Sequence, residues 1–301
     1  MTKIDILKET PTTVVMDANN GMGMVASHKM MEMLIEKAKV YGMAGGAIMN
    51  STHYGIAGYW TTMAEKAGMI GISGTNARPS VAPTFGVEPM MGTNPLTFTM
   101  PTDEEFPFNF DCATSTLQNG KIEFYERMGK PTPVGLVVTK DGKTMTESGE
   151  ILKQMRAGNC ALLPLGGMGE ETGGYKGYGC TTVVEILSAA LSGGPHTKAL
   201  SGKDENGKNC MYRLGHFFFV INPAFFMGED TFCHTTGDIL RALRNSTKAP
   251  GAERIYTAGE KEHLAWLDRK DKGVPVGEAI QKEFIQLRGE CGLDYKFPFE
   301  A

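Results

Sequence analysis

Apolar and polar positions along the chain mark out its elements. Residues 12–17 (TTVVMD) form a β-branched apolar run that predicts a strand, and Asn19-Asn20-Gly21 behind it reads as a turn. Met30, Met31, Leu34, Ala38 and Tyr41 recur at three- and four-residue spacing, which predicts a helix ended by Gly42. Ala47-Ile48-Met49 predicts a buried strand that runs into Asn50-Ser51-Thr52-His53. A second helix follows, with Ile56, Tyr59, Trp60 and Met63 on its apolar side and Gly68 as its stop. Met69 to Ser73 predicts another strand.

The pattern then changes. Pro95–Met100, Pro107–Asp111, Val134–Thr139 and His216–Ile221 predict strands separated by Gly, Pro and Asp-Gly turns, and Lys140-Asp141-Gly142-Lys143 is a hairpin signal. One long helix interrupts them, from about Lys176 to Leu191, closed by Gly193-Gly194. From Ala249 onward the pattern is helical and charged. No internal repeat or low-complexity segment occurs. The fold class is mixed α/β. Strands grouped in the middle of the chain, instead of alternating with helices, argue against a doubly wound parallel sheet.

Composition removes several functional classes. With 301 residues, 41% hydrophobic and 21% charged, the chain is an ordinary globular protein of one or two domains. Its net charge is -4 and its basic residues are scattered, so no electrostatic footprint for nucleic acid or a membrane surface is present. No stretch approaches the ~18 apolar residues of a membrane span, and the charged residues Met1 to Thr10 lack a signal-peptide core. Cys112, Cys160, Cys180, Cys210, Cys233 and Cys291 are widely spaced with no CxxC pair. They read as reduced thiols in a cytoplasmic protein, and no metal site is expected. The 38 glycines exceed the roughly 7% average. Clustered at the ends of apolar runs, they suggest loops that approach a ligand closely.

A Rossmann site needs GxGxxG between strand and helix. Gly21-Met22-Gly23 lacks the third glycine, with Ala26 at best its substitute, and no P-loop, HExxH or GxSxG motif occurs. His53 is the sharpest single candidate, set between a buried strand and a helix start with Gly55 nearby. An imidazole titrating near pH 6.5 suits proton exchange with an alcohol or ketone oxygen; a capping or hydrogen-bonded role is the structural alternative. His28, His196, His216, His234 and His263 read as structural or surface residues. Three further segments combine small and polar residues. Asp111 to Ser115 closes a strand, Gly173 to Gly179 opens the long helix with Lys176 in its first turn, and Gly259-Glu260 lies within Tyr256 to Glu262. Free amides and the helix dipole would favour an anion at the second. Each alone is also ordinary turn and cap chemistry.

Asn50-Ser51-Thr52-His53-Tyr54-Gly55-Ile56-Ala57-Gly58-Tyr59, Gly92-Thr93-Asn94-Pro95-Leu96, Asp111-Cys112-Ala113-Thr114-Ser115, Leu163-Pro164-Leu165-Gly166-Gly167, Gly173 to Gly179, Val184 to Ser188 and Gly215-His216-Phe217-Phe218 occur in that order. The series resembles the type-2 malate/L-lactate dehydrogenase family over nearly the whole chain, and its wording is nearest the malate branch. The resemblance implies a largely antiparallel, non-Rossmann sheet that binds NAD or NADP, flanked by helices, and a smaller helical domain. On that basis residues 1–245 are expected to form the NAD(P)-binding domain and 246–301 a C-terminal helical segment of the second domain. It also implies a homodimer that interconverts 2-hydroxy and 2-oxo acids, malate and oxaloacetate first among them. Lactate, sulfolactate or ureidoglycolate dehydrogenation and cyclic imine reduction are neighbouring activities, and a non-catalytic cofactor-binding protein is the alternative from another class.

Matched position by position, His53 falls on the family's proton-transfer histidine. Asp111, Cys112, Ala113, Thr114, Ser115, Tyr175, Lys176, Ala258, Gly259 and Glu260 fall on cofactor-contacting segments, and Asn76 and Ala77 on a contact near the nicotinamide. Tyr175 stands where the family often has histidine, and Ala258 where it often has proline. Relatives carry several dozen further N-terminal residues with an Asp-Ser-His-Gly motif and an arginine for the substrate carboxylate. No such motif occurs in this sequence, which predicts a helical domain lacking its N-terminal part. Arg78, beside Ala77, reads first as a solvated loop charge and only second as a substitute carboxylate anchor.

Overall fold

The computed structural model describes residues 2–300. Its strands are β1 (Asp5–Glu9), β2 (Thr13–Asp17), β3 (Met43–Ser51), β4 (Ile70–Thr75), β5 (Leu96–Met100), β6 (Phe108–Cys112), β7 (Val137–Thr139), β8 (Cys160–Leu162) and β9 (Leu214–Ile221). Its helices are α1 (Gly23–Tyr41), α2 (Ala57–Glu65), α3 (Asn119–Arg127), α4 (Ser148–Arg156), α5 (Gly174–Ala190), α6 (Glu229–Arg244), α7 (Glu260–Arg269) and α8 (Glu278–Glu290). Seven strands form one sheet in the order β1-β2-β3-β9-β4-β5-β6. Only β2 and β3 run parallel within it, so the sheet is mostly antiparallel. β7 and β8 make a separate antiparallel pair.

The period-two alternation of β9 explains how the layers are assembled. His216, Phe218 and Val220 face the cluster built by Met30, Leu34, Tyr54 and Trp60 from α1, α2 and their approach loops. Gly215 points to the other face, where a Cβ would lie 2.2 Å from the Ser188 carbonyl of α5. The sheet is therefore covered by α1 and α2 on one side and α5 on the other. A smaller core of Val81, Ile122, Val137, Ile151 and Leu162 joins the β7–β8 pair to α3 and α4.

The period-based expectation for α1 holds at Met30, Met31, Leu34 and Ala38 but not at Tyr41, which is 53% exposed at the last position of the helix. The expected stop holds, since Gly42 takes φ +81° and donates to the Ala38 carbonyl. For α2 the expected face is rotated. Trp60 is buried, but Ile56 is 75% and Tyr59 57% exposed, because Ala57, Thr61 and Ala64 are the residues that meet the sheet. The strand expected at Val134–Thr139 shortens to three residues, and β1, β8, α3, α4 and α6 are additional to the expected elements. The glycine-rich start of α5 is closely packed on its inner side. A Cβ on Gly174 or Gly177 would lie 2.1 Å from the carbonyl of Gly167 or Leu165, so these glycines let the helix press on a backbone loop.

The chain separates into two compact units, one up to Glu260 and one from Lys261 on. In the second, Arg288 forks onto Glu300 at 2.6 and 2.9 Å and stacks over Phe297. Among the described residues no helix is long and apolar enough to cross a membrane.

Candidate functional site

One end of the large sheet gathers the chemistry. Register places Ser51 of β3 opposite Leu214 of β9, Thr75 of β4 opposite His216, and Leu96 of β5 opposite Cys112 of β6. The loops that leave or enter the sheet there enclose a cleft of about 740 Å³, within the usual range for small-molecule sites. His53, Asn76, Ala77, Arg78, Asp111 and Tyr212 line it, together with Gln118, Asn119 and Gly120 at the start of α3. A groove of about 580 Å³ beside it, between Met24, Ile56, Tyr59 and Trp60, is almost wholly apolar and offers little for catalysis.

His53 sits on a turn that is pinned at both ends. The Thr52 hydroxyl donates to the Gly21 carbonyl at 3.0 Å and accepts from the Gly23 N–H at 3.1 Å, fastening the turn to the start of α1. Gly55, at φ +83°, turns its N–H onto His53 Nδ1 at 3.1 Å. A neutral ring whose Nδ1 accepts this bond carries its proton on Nε2. Behind it, Tyr54 stacks on His216 with ring centroids 4.5 Å apart, and Trp60 Nε1 donates to the Tyr54 carbonyl at 3.0 Å. His216 is fully buried and bonds Thr75 Oγ1 through Nδ1 at 2.6 Å. Burial, assisted by the nearby His53, pulls the His216 pKa down to about 3, so it is neutral at physiological pH. Burial likewise raises the Tyr54 phenol well above its usual value.

The loop after β4 is held by a buried amide. Asn94 accepts from the Ala77 N–H at 3.1 Å and donates to Glu185 Oε2 at 2.7 Å and to the Thr181 carbonyl at 3.2 Å. Glu185, on α5, also receives the Thr197 N–H at 2.8 Å. Asn76 is buried and accepts from the Gly215 N–H at 2.8 Å, tying the loop to β9. Asp111 projects from the end of β6 and receives the Gly58 N–H (2.8 Å) and the Thr97 hydroxyl (2.9 Å). At the far side of the cleft α3 begins without a side-chain cap, and space is open around Gly120. Such a helix start presents amides and the positive end of its dipole to an anion.

Of the residues expected from sequence, His53, Asn76, Ala77 and Asp111 come together on the cleft wall. Ala113, Thr114 and Ser115 lie buried just behind it. Their hydroxyls are occupied, Thr114 with the Thr93 and Asn94 carbonyls and Ser115 with Leu117, so they shape the wall. Cys112 is half-buried, and burial followed by the charge of Asp111 raises its thiol pKa. Tyr175 and Lys176 are exposed on the first turn of α5, the ammonium 5.7 Å over the ring. The Ala258 carbonyl accepts from the Asn109 N–H beside β6, Gly259 packs on Pro107 and Asn109 at φ +91°, and Glu260 is buried between Arg254, Arg244 and the Thr257 N–H. Sequence reasoning missed Gln118, Asn119, Gly120 and Tyr212. The first three follow the Asp111–Ser115 segment with turn-like chemistry that could have marked them; Tyr212 had no local signal.

Residues 1–284 match the model of the family described as Malate/L-lactate dehydrogenase. The malate dehydrogenase of Pyrococcus horikoshii is 39% identical over 292 residues, covering 97% of this chain and 78% of that protein. The L-sulfolactate dehydrogenase of Methanocaldococcus jannaschii is 35% identical over 291 residues, covering 97% and 79%. Among solved structures, the malate dehydrogenase from Entamoeba histolytica matches with a TM-score of 0.92 at 43% identity, covering 98% of this chain and 81% of that one.

Proposed function

The chain belongs to the malate/L-lactate dehydrogenase family and is an enzyme of the malate/2-hydroxy acid type, and from this we propose that it interconverts malate and oxaloacetate with NAD or NADP. The nicotinamide, when bound, supplies the hydride acceptor or donor. In this reading the protein contributes position, electrostatics and a proton at one atom. His53 is the proton-exchanging group. The single observation that carries this is its place on the cleft wall, with Gly55 occupying Nδ1 and Nε2 without a protein partner among the described residues.

A neutral His53 offers Nε2–H to the oxygen on C2 and so orients a ketone. Delivering a proton to that oxygen requires the ring to be protonated on Nδ1 as well, which breaks the Gly55 bond. The Gly55 turn is therefore part of the protonation cycle. Asn76 and Ala77, held by Gly215 and Asn94, form the wall beside the reacting carbon, and the uncapped start of α3 fits the cofactor pyrophosphate. Tyr175, Lys176 and residues 258–260 belong to the outer cofactor contacts, and two copies of the chain form the working homodimer.

Malate is preferred over lactate because the relatives cited above are named for malate and for sulfolactate. Both compounds are 2-hydroxy acids with a second anionic group on C3. The test is oxidation of NADH and of NADPH in parallel with oxaloacetate, pyruvate and a cyclic imine. Turnover with oxaloacetate well above the others supports the proposal; turnover confined to pyruvate or the imine replaces it.

A further inference from the structure

We infer that Arg78 binds the second carboxylate of the substrate and so selects dicarboxylates over simple 2-oxo acids; this rests on the functional reading above. Arg78 is the one permanent cation among the residues lining the cleft, and Asp111 is the one carboxylate. Asp111 is already engaged by Gly58 and Thr97. Arg78 has no acidic partner among the described residues. Its guanidinium lies 5.0 Å from the centre of the Tyr212 ring, which supports one flat face and leaves the N–H edges free.

A planar fork braced on an aromatic ring and lacking a counter-ion is suited to a carboxylate, which it can meet with two parallel hydrogen bonds. Its charge also answers a specific deficit. A 2-oxo acid with one carboxylate brings one negative charge, which a protonated His53 can offset during proton transfer. Oxaloacetate brings two, to a wall that already carries Asp111. Without Arg78 the second carboxylate would meet no permanent positive charge on the cleft wall. Arg78 is two residues from Asn76 and next to Ala77, so the loop that Asn94 fixes also fixes its backbone. A group bonded to C3 is thereby met beside the reacting carbon.

The experiment is the ratio of kcat/KM for oxaloacetate to that for pyruvate, in wild type, Arg78→Met and Arg78→Lys. Arg78→Met should lower the ratio roughly 10–100-fold, the loss expected for a charge-assisted hydrogen-bonded pair. Arg78→Lys keeps the charge without the fork and should fall between. An unchanged ratio overturns the inference, whether both substrates decline together or neither does. A second readout is independent of turnover: phenylglyoxal modification of Arg78, followed by peptide mass in the presence of NADH. Malate should slow it and lactate should not; equal rates overturn the assignment. If the wild type reduces no 2-oxo acid, the functional reading fails while the protection experiment still decides the role of Arg78.

Discussion

Asp111, at the end of β6, accepts the backbone N–H of Gly58 at the start of α2 through Oδ2 at 2.8 Å. Its other oxygen takes the Thr97 hydroxyl at 2.9 Å. α2 has no side-chain cap from its own flanking residue Ile56, so the cap is supplied by a strand 53 residues away. Asp111→Ala should therefore cost about 1–2 kcal/mol, the value of a helix cap. Urea unfolding measures it, and Asp111→Asn, which keeps acceptor atoms, should lose less. Equal stability of all three proteins would show that α2 begins well without this contact.

Replacing His53 by Ala should lower turnover by roughly 10²–10⁴-fold, the range for a general acid–base residue. Cofactor affinity, read by titrating nicotinamide fluorescence, should stay nearly constant. A variant with near-normal turnover removes His53 from the mechanism.

Asn94→Asp sets a carboxylate against Glu185, where the amide now donates at 2.7 Å. Two buried carboxylates at that distance cannot both ionise. The variant should be less stable than Asn94→Ala at pH 7 and should regain stability relative to it as the pH is lowered and one of the pair takes up a proton. Thermal unfolding across pH 5 to 8 separates the two variants, and parallel pH curves would contradict the pairing.

His216 ties folding to pH. Its pKa is about 3 in the fold, pulled down by burial, against 6.5 for the free side chain. Above pH 6.5 it is neutral in both states and adds no pH dependence. Between 6.5 and 3 the unfolded chain binds a proton that the folded chain does not, so stability falls by about 1.4 kcal/mol per pH unit at most. His216→Phe keeps a ring against Tyr54 and should flatten this part of the acid-unfolding profile. An unchanged slope would mean that another group controls it.

Gly177→Ala introduces a Cβ 2.1 Å from the Leu165 carbonyl, a backbone atom that cannot swing aside. The cost should reach the ~1–3 kcal/mol of an overpacked interior or exceed it. Gly179→Ala, two positions on where space is open, should be neutral or slightly stabilising. Comparison of the two melting temperatures tests whether α5 needs its close approach.

The elements that could be read from sequence are those whose burial follows a simple period. α1 buries Met30, Met31, Leu34 and Ala38 on one face, and each has the spacing that predicts it. α3 buries only Ile122 and α6 only Gly237 and Leu240, so neither carries an apolar stripe long enough to recognise. α2 misleads because apolar residues occur on both of its faces, and Ile56 and Tyr59 lie on the outward one. In the site, His53 was legible because a strand, a turn and a glycine surround it within a few residues. The start of α3 and the placing of Arg78 were not. The Arg78 setting depends on Tyr212, 134 positions later by residue number, and no local pattern records that approach.

The position of β9 in the sheet sets the order in which this molecule can mature. Its residues 214–221 fill the gap between β3 and β4, which end at residues 51 and 75. As the chain leaves the ribosome, both of those strands must wait with one edge bare until β9 emerges, about 160 residues after β3 and about 140 after β4. Such distant pairing is slow, and bare edges invite pairing with other chains. The cleft matures on the same schedule, since Asn76 meets Gly215 and Thr75 meets His216 only when β9 docks. A nascent chain therefore acquires a closed sheet and a complete cleft wall in one late event.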